Sequence, residues 1–229
     1  MWTAAILAGG QSKRLDGRNK AALRLGGCPV LERQLAVLRE VVDRTVIVAN
    51  DEAPYRSYGV PIVPDLAPGT GALGAVYTAI QSVWAAHTLV VACDMPFLSV
   101  PFLSHLVAAG CDVDIAIPRT ASGYEPLCAT YSRRCAAVLR SRIEARQLKV
   151  SDLLASTQRL TIRELGPEEI AQYGRDDLLF FNINTADDYA RAIAIEAESR
   201  SYFGSSNRAQ TSPGSLDASD KCVDTEREK

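Results

Sequence analysis

Three polar segments, each following an apolar run, carry the side chains best suited to chemistry. The first extends from Gly9 to Lys20 and is rich in glycine and basic residues. Its adjacent glycines, Gly9 and Gly10, permit a tight bend that points backbone N–H groups at an anion, and Arg14 and Lys20 add fixed positive charge. The segment predicts a phosphate-binding loop. An ordinary glycine turn with solvated basic side chains is the alternative interpretation.

The second segment contains Asp94, directly after the apolar run Leu89–Cys93. A carboxylate at the end of a buried strand is partly desolvated unless it meets a cation. Carboxylate oxygen beside a phosphate site is also the type of ligand that Mg²⁺ prefers. Asp94 is therefore a predicted Mg²⁺ ligand, and a turn or capping role beside Pro96 is the alternative.

The third segment contains Asp65 and the glycines Gly69, Gly71 and Gly74. These glycines satisfy the G-x-G-x-x-G pattern of dinucleotide-binding folds, and Asp94 stands where such a fold places its ribose-binding acid. The pattern should follow its strand immediately, whereas Asp65 to Pro68 separate these glycines from the predicted strand Val60–Val63. A helix N-terminus that accommodates a nucleotide is favoured, and an NAD-binding oxidoreductase is a remote alternative.

Short apolar runs alternate with amphipathic segments along the chain. The runs predict strands at Thr3–Leu7, Thr45–Ala49, Val60–Val63, Thr88–Cys93, Val113–Ile117, Leu127–Tyr131 and Leu178–Asn182. Helical spacing predicts helices at Pro29–Val41, Leu73–Val83, Ser99–Ala109, Arg134–Arg146 and Ala186–Ala197. This alternation predicts an α/β protein, a three-layer α/β/α sandwich with a Rossmann-like, mostly parallel central sheet. Ligands of such sheets bind at the carboxyl ends of the strands, which is where all three polar segments fall.

Length and composition limit the class of protein. A chain of 229 residues is one large domain or two small ones, and we predict a catalytic domain over residues 1–200. Residues 201–229 have few branched aliphatic side chains and are predicted to be a disordered polar tail. No apolar run reaches the ~18 residues of a membrane span, and no signal peptide begins the chain, so a cytoplasmic location is expected.

Charge and metal-ligand content exclude other functions. The chain has 25 Lys plus Arg against 27 Asp plus Glu, which gives no basic field for a nucleic acid. Its six cysteines form no C-x-x-C pair, and His87 and His105 are the only histidines, so zinc-site spacings are missing. Phosphoryl or nucleotidyl transfer fits, because it proceeds largely by positioning and charge neutralisation. A phosphate monoester acceptor, with a second pKa near ~6, needs no general base.

Six blocks of residues occur together in one order over roughly Met1 to Ala197. They are Leu7-Ala8-Gly9-Gly10-x-Ser12-x-Arg14 continuing to Lys20, Asp65, Pro68-Gly69-x-Gly71-x-Leu73, Cys93-Asp94-Met95-Pro96-Phe97, Glu125-Pro126-Leu127-Cys128-Ala129-x-Tyr131 and Asn182-Ile183-Asn184-Thr185. No single block is specific, but the set resembles the molybdenum cofactor guanylyltransferases, a family of small nucleotidyltransferases.

The resemblance implies a reaction and a set of site residues. GMP would pass from GTP to the phosphate of molybdopterin, with Mg²⁺ bound and pyrophosphate released, to form the guanine dinucleotide of the cofactor. The resemblance implies catalytic roles for Arg14, Lys20 and Asp94, with Asp94 on the metal. It implies GTP contacts from Leu7, Ala8, Gly9, Gly10, Lys20, Asn50, Asp65 and Asp94, and an acceptor-facing position for Glu125, Asn182 and Asn184. Proteins of cofactor delivery or molybdoenzyme maturation would be partners.

Other reactions remain open at the level of sequence. The choice of guanine rests on Ala8-Gly9-Gly10, where cytidylyltransferase relatives tend to carry Ala-Ala-Gly. A CTP-dependent enzyme, or one with a sugar phosphate or phospholactate as acceptor, is therefore an alternative. Asp16 and Asn19 depart from the family pattern and leave open a nucleotide-binding regulator without catalysis.

Overall fold

The computed structural model describes residues 1–8, 23–155 and 160–206, and places strands and helices in alternation over most of this length. Its strands are β1 (Trp2–Leu7), β2 (Arg24–Leu25), β3 (Cys28–Pro29), β4 (Arg44–Val48), β5 (Ile62–Val63), β6 (His87–Ala92), β7 (Ile115–Thr120), β8 (Gly123–Tyr124), β9 (Cys128–Ser132) and β10 (Ile162–Leu165). Its helices are α1 (Val30–Val41), α2 (Gly71–Gln81), α3 (Val100–Ala109), α4 (Cys135–Glu144), α5 (Val150–Ala155), α6 (Pro167–Ile170), α7 (Asp176–Leu179) and α8 (Ala186–Ser206).

The central sheet has the strand order β10-β7-β9-β6-β1-β4-β5, with β8 paired to β7. β1 is parallel to both β4 and β6, β4 is parallel to β5, and β7 is parallel to β10. The predicted α/β class is confirmed. The sheet is mixed, because β9 is antiparallel to both of its neighbours, β6 and β7.

The reversal of β9 follows from the short connection that precedes it. Only residues 121–127 lie between the end of β7 and the start of β9, and they include β8. A crossover between parallel strands needs a dozen or more residues, so a link of this length returns the chain antiparallel.

Apolar residues of the sheet are buried on both faces, as a three-layer packing requires. One face packs against α1 and α3 through residues such as Leu35, Leu38, Phe102 and Leu106. The other packs against α2 and α4 through residues that include Val76, Ile80 and Leu139. A smaller cluster joins α8 to the β2–β3 hairpin. Burial of the β1 and β6 runs explains why these strands are continuously apolar rather than alternating.

Two features of the C-terminal part differ from the expectations. The predicted strand Leu178–Asn182 is wrong, because the chain forms α7 and then an irregular segment there. Asp176 and Asp177 occupy the first turn of α7, where acidic side chains favour a helix over a strand. α8 extends to Ser206, beyond the domain boundary predicted at residue 200, and the residues after 206 lie outside the described structure. Within the described part of the chain, no helix is long and apolar enough to cross a membrane.

Candidate active site

The carboxyl ends of β1, β4 and β6 are bound to one another by backbone hydrogen bonds. The Ala8 N–H donates to Val48 O at 2.9 Å, and the Cys93 N–H donates to Leu7 O at 3.1 Å. The Tyr55 hydroxyl also donates to Ala8 O at 3.1 Å. Leu7 and Ala8 therefore lie in the middle of this edge, between the polar segments that follow β4 and β6.

Asn50 and Asp65 lie together on one side of Leu7–Ala8. The side-chain oxygen of Asn50 accepts a 2.9 Å hydrogen bond from the Asp65 N–H. Asp65 Oδ1 accepts from the Ala67 N–H at 2.9 Å and from the Thr78 hydroxyl at 2.8 Å. Thr78 is buried on α2 and accepts from the Leu66 N–H at 2.9 Å. This network fixes the Asp65 carboxylate at the sheet edge.

The glycine-rich segment forms the turn into α2. Gly71 begins the helix with φ of +64°, a conformation that favours glycine over residues with a Cβ. A Cβ on Gly74 would lie 1.9 Å from Thr70 Oγ1 and 2.7 Å from Ala67 O, so only glycine allows the turn to pack this closely on the helix. Two strands, β4 and β1, separate β5 from β6, so these glycines do not adjoin Asp94 as the dinucleotide fingerprint requires.

Asp94 stands in the turn that follows β6, on the other side of Leu7–Ala8. The Ile183 N–H donates to Asp94 O at 3.0 Å, which brings the segment of Asn182 and Asn184 to this turn. The side-chain amide of Gln34, on α1, donates to Ala92 O at 2.8 Å and to Met95 O at 2.9 Å. The turn is thus held through its backbone carbonyls by two distant parts of the chain.

A capping box fixes the segment that carries the two asparagines. Asp188 Oδ2 accepts from the N–H groups of Asn184 and Thr185, at 3.1 and 3.0 Å. In return, the Thr185 hydroxyl accepts from the Asp188 N–H at 3.1 Å, which begins α8 here. The Asn182 Nδ2 donates to Phe180 O at 2.9 Å, so its Oδ1 is the oriented acceptor of this half-buried amide.

Glu125 lies in the segment between β8 and β9, next to the end of β6. The Ala92 N–H donates to Leu127 O at 2.8 Å, and the Glu125 N–H donates to Pro118 O at 3.0 Å. Burial raises the pKa of the Glu125 carboxyl from 4.5 to about 7. This side chain is therefore partly protonated at neutral pH. Its protonated form can donate a hydrogen bond, and its ionised form can bind a cation.

Among the site residues expected from the sequence, Leu7, Ala8, Asn50, Asp65, Asp94, Glu125, Asn182 and Asn184 all lie along one edge of the sheet. They form two groups, one around Asp65 and one around Asp94. Gly9, Gly10, Arg14 and Lys20 lie outside the described residues. Thr78, Tyr55 and Gln34 also contact these groups but were not expected from the sequence. Thr78 and Gln34 had a usable signal, since each is a polar residue on the buried face of an amphipathic helix.

The oxygen atoms offered near Asp94 fit a divalent cation whose coordination is completed by substrate. Carboxylate and amide oxygens are hard ligands, and Mg²⁺ is usually bound by one or two carboxylates together with water and substrate phosphates. No cluster of three or more His, Cys, Asp or Glu side chains occurs among the residues that the structure describes. Asp94 could therefore hold a divalent cation together with water and substrate oxygens.

The sheet and its connections have the fold of nucleotidyltransferases of known structure. The same fold occurs in the 2-C-methyl-D-erythritol 4-phosphate cytidylyltransferase of Thermus thermophilus, with a TM-score of 0.61 at 16% identity over 86% of this chain and 100% of that one. Residues 4–160 match the model of the MobA-like NTP transferase domain. The chain belongs to this family.

Similar proteins extend over most of the chain. The probable molybdenum cofactor guanylyltransferase of Pelotomaculum thermopropionicum is 32% identical over 86% of this chain and 95% of its own length. The molybdopterin-guanine dinucleotide biosynthesis protein A of Archaeoglobus fulgidus has a TM-score of 0.70 and 28% identity over 86% of this chain and 100% of its own. A Mycobacterium tuberculosis protein of the same fold, crystallised with manganese, has a TM-score of 0.59 and 21% identity over 84% of this chain and 98% of its own.

Proposed function

We propose that the protein transfers GMP from GTP to the phosphate of molybdopterin and forms the guanine dinucleotide of the molybdenum cofactor. The observation that carries this proposal is the match, over nearly the whole described domain, to relatives named molybdenum cofactor guanylyltransferase. The grouping of Asp65 and Asp94 on either side of Leu7–Ala8 supports it, because a nucleotide at this edge would lie between the two carboxylates.

The reaction needs little covalent assistance from the protein. An oxygen of the molybdopterin phosphate attacks the α-phosphorus of GTP, the bond from that phosphorus to the bridging oxygen breaks, and pyrophosphate leaves. The attacking monoester is already anionic near neutral pH, so no general base is required. Arg14 and Lys20 would stabilise the negative charge that builds up on the phosphates, and the N–H groups of Gly9 and Gly10 would hold them.

The Asp65 group would bind the nucleoside. Asp65 Oδ1 accepts from the Ala67 N–H and the Thr78 hydroxyl. Its Oδ2 makes no hydrogen bond to the described residues, so Oδ2 would accept from a ligand N–H or O–H. Asn50 would contribute by accepting the hydrogen bond from the Asp65 N–H, which holds the backbone of Asp65 in place. Leu7 and Ala8 would contact the base and ribose from the middle of the edge.

The Asp94 group would hold Mg²⁺ and the acceptor. When bound, the metal neutralises charge on the α-phosphate. Asp94 would be its carboxylate ligand, and Asn182 Oδ1 has the chemistry of a second ligand. Asn184 and Glu125 would face the acceptor, and the raised pKa of Glu125 would let its carboxyl donate a hydrogen bond to an acceptor phosphate. Delivery proteins as partners and a cytoplasmic location belong to the same proposal.

Pyrophosphate release tests this function. The purified protein is assayed with GTP, CTP or ATP, with Mg²⁺, and with molybdopterin present or absent. We expect release with GTP only when molybdopterin is present. Preference for CTP would make the enzyme a cytidylyltransferase, and GTP binding without release from any acceptor would make it a regulator.

Two variants assign the catalytic residues. Asp94→Ala and Lys20→Ala should each lower kcat/KM by about 100-fold, which corresponds to ~3 kcal/mol of transition-state stabilisation. The matched control is Asp112→Ala, which removes an exposed carboxylate at the opposite end of the sheet and should retain activity. Turnover of Asp94→Ala near that of the control would contradict the assignment.

A further inference from the structure

The turn that carries Asp94 is held by a side chain that no sequence motif marks. Gln34 is 3% exposed and lies on α1 among the buried residues Leu31, Leu35 and Leu38. Its Nε2 donates to Ala92 O at 2.8 Å and to Met95 O at 2.9 Å. A primary amide has two N–H donors, and here they bind the carbonyls that precede and follow Asp94.

The orientation of this amide is determined by its partners. Rotating it by half a turn would place Oε1 against two carbonyl oxygens, which repel it. In the observed orientation, Oε1 is buried and has no hydrogen-bond partner among the residues that the structure describes. A buried acceptor without a partner costs free energy, whereas the two N–H donors of this amide satisfy the carbonyls of Ala92 and Met95. The amide therefore acts on the turn through its two N–H donors.

The remaining contacts of the turn complete the support. The Ile183 N–H binds Asp94 O at 3.0 Å, and the Cys93 N–H binds Leu7 O at 3.1 Å. The carbonyls of residues 92, 94 and 95 are thus all engaged, two of them by Gln34. The backbone orientation of the turn sets the direction of the Asp94 side chain. Without the Gln34 donors, the turn would lose its support from α1, and this direction would be less well fixed.

We propose that Gln34 is a positioning residue: by clamping the carbonyls of Ala92 and Met95, it orients the Asp94 carboxylate toward the divalent cation and the nucleotide phosphates. The inference rests on the proposed function, since it assumes the metal role of Asp94. Gln34 itself touches neither substrate nor metal. Groups that orient metal ligands in this way typically change metal affinity by 10- to 100-fold when they are removed.

The test replaces the amide by apolar groups and measures metal binding directly. Gln34→Met keeps the length of the side chain, and Gln34→Leu matches the leucines around it, so the pair guards against misfolding of one variant. Binding of Mn²⁺ is measured by electron paramagnetic resonance, with a GTP analogue whose α,β-bridging oxygen is replaced by methylene. Urea unfolding of the same samples reports stability.

We expect both variants to remain folded and to bind Mn²⁺ about tenfold more weakly. Their unfolding midpoints should fall, because the carbonyls of Ala92 and Met95 lose their side-chain donor. In activity assays, the Mg²⁺ concentration for half-maximal rate should rise by a similar factor. Unchanged Mn²⁺ affinity in a folded variant would overturn the inference. An equal loss of Mn²⁺ affinity in Arg33→Met, a variant that keeps the Gln34 amide, would do the same, because it would indicate general loosening.

Two further variants separate this inference from the proposed function. Arg33→Met removes the neighbouring side chain on α1, which pairs with Glu196 at 2.8 Å and makes no hydrogen bond to the Asp94 turn. It should lower stability and leave Mn²⁺ affinity within about twofold of the wild type. Asp94→Asn is measured in parallel. If it binds Mn²⁺ as the wild type does, the metal role of Asp94 is wrong and the inference falls with it. If it loses binding while Gln34→Met does not, only the inference on Gln34 fails.

Discussion

Two aspartates at opposite ends of the sheet are held in contrasting ways. Asp114 directly precedes β7, at the amino end, and is 3% exposed. Its carboxylate accepts hydrogen bonds from the Ser132 hydroxyl at 2.7 Å and from the Thr161 N–H at 2.9 Å, and Arg134 lies 3.4 Å away. Asp94, at the carboxyl end, lies in a turn that is fixed through backbone carbonyls instead.

The Asp114 carboxylate thus joins neighbouring strands through its own oxygens, whereas the backbone support of the Asp94 turn agrees with the metal role proposed for Asp94. Burial alone would raise the pKa of Asp114, but the hydrogen bonds from Thr161 and Ser132 and the charge of Arg134 outweigh it, so the pKa is lowered below 3.8. The Asp114 side chain joins β7, β9 and the residue before β10. At the carboxyl end, the backbone holds the turn, and a carboxylate held in that way keeps its direction when a ligand binds.

The largest expected effect comes from exchanging the carboxylate at the carboxyl end. Asp94→Asn should lower kcat/KM for GMP transfer by about 100-fold and change the free energy of unfolding by less than ~0.5 kcal/mol. Asparagine preserves the shape and the backbone bonds of the turn but removes the charge. Steady-state pyrophosphate release and urea unfolding give the two numbers. A loss of stability comparable to that of the Asp114 variant would remove the contrast.

The reverse pattern is expected at the amino end. Asp114→Ala should lower the free energy of unfolding by about 3 kcal/mol, because it leaves the buried Ser132 hydroxyl and the part-buried Thr161 N–H without their acceptor. The affinity of the remaining folded protein for GTP should not change. Urea unfolding and calorimetry measure the two quantities, with exposed Asp112→Ala as the control.

The stability contributed by Asp114 should also depend on pH in the acid range. Since the pKa of Asp114 is lower in the folded state than its ordinary value of 3.8, its stabilising effect is complete above that value. The effect is lost as the pH falls through the lower folded pKa. The stability difference between the wild type and Asp114→Ala should therefore shrink in acid below about pH 3.8, and a constant difference would be evidence against the pKa shift.

An intermediate effect is expected in the Asp65 group. Thr78→Val keeps the shape of the side chain but removes the donor to Asp65 Oδ1 and the acceptor of the Leu66 N–H. We expect a loss of about 1–2 kcal/mol of stability and a several-fold weaker affinity for GTP, since the carboxylate is no longer held. Thr78→Ser, which keeps the hydroxyl, should recover the affinity. Equal GTP affinity in all three proteins would show that Asp65 needs no such support.

A further effect, on stability, concerns Glu125 and has the opposite pH dependence to Asp114. Its folded pKa of about 7 lies above its ordinary value of 4.5, so the folded state binds more protons than the unfolded state between these values. Stability therefore falls as the pH rises through this window and levels off above it. Glu125→Gln should melt at a higher temperature than the wild type at about pH 8, and the difference should vanish near pH 4.5. A difference that is independent of pH would contradict the raised pKa.

Much of the fold follows from local pattern. Burial on one face fixed the spacing of Leu31, Leu35 and Leu38 in α1, and Ser99 with Pro101 marked the start of α3, where Ser99 accepts from the Phe102 N–H. The reversal of β9 was also accessible, because the short link after β7 excludes a crossover. The strand predicted at Leu178–Asn182 failed because apolar residues alone do not distinguish a strand from a buried helix turn.

The amino-acid sequence alone determined the class of fold, the apolar strands and the polar segments that follow them, because periodicity, capping and turn chemistry act between near neighbours in the chain. It also identified Asp65, Asp94, Glu125 and the two asparagines as residues of one sheet edge. Only the tertiary structure decided that Gln34 clamps the Asp94 turn and that Thr78 holds Asp65. Gln34 and the carbonyls it binds are 58 and 61 residues apart, and periodicity shows that a side chain is buried but not which partner it meets.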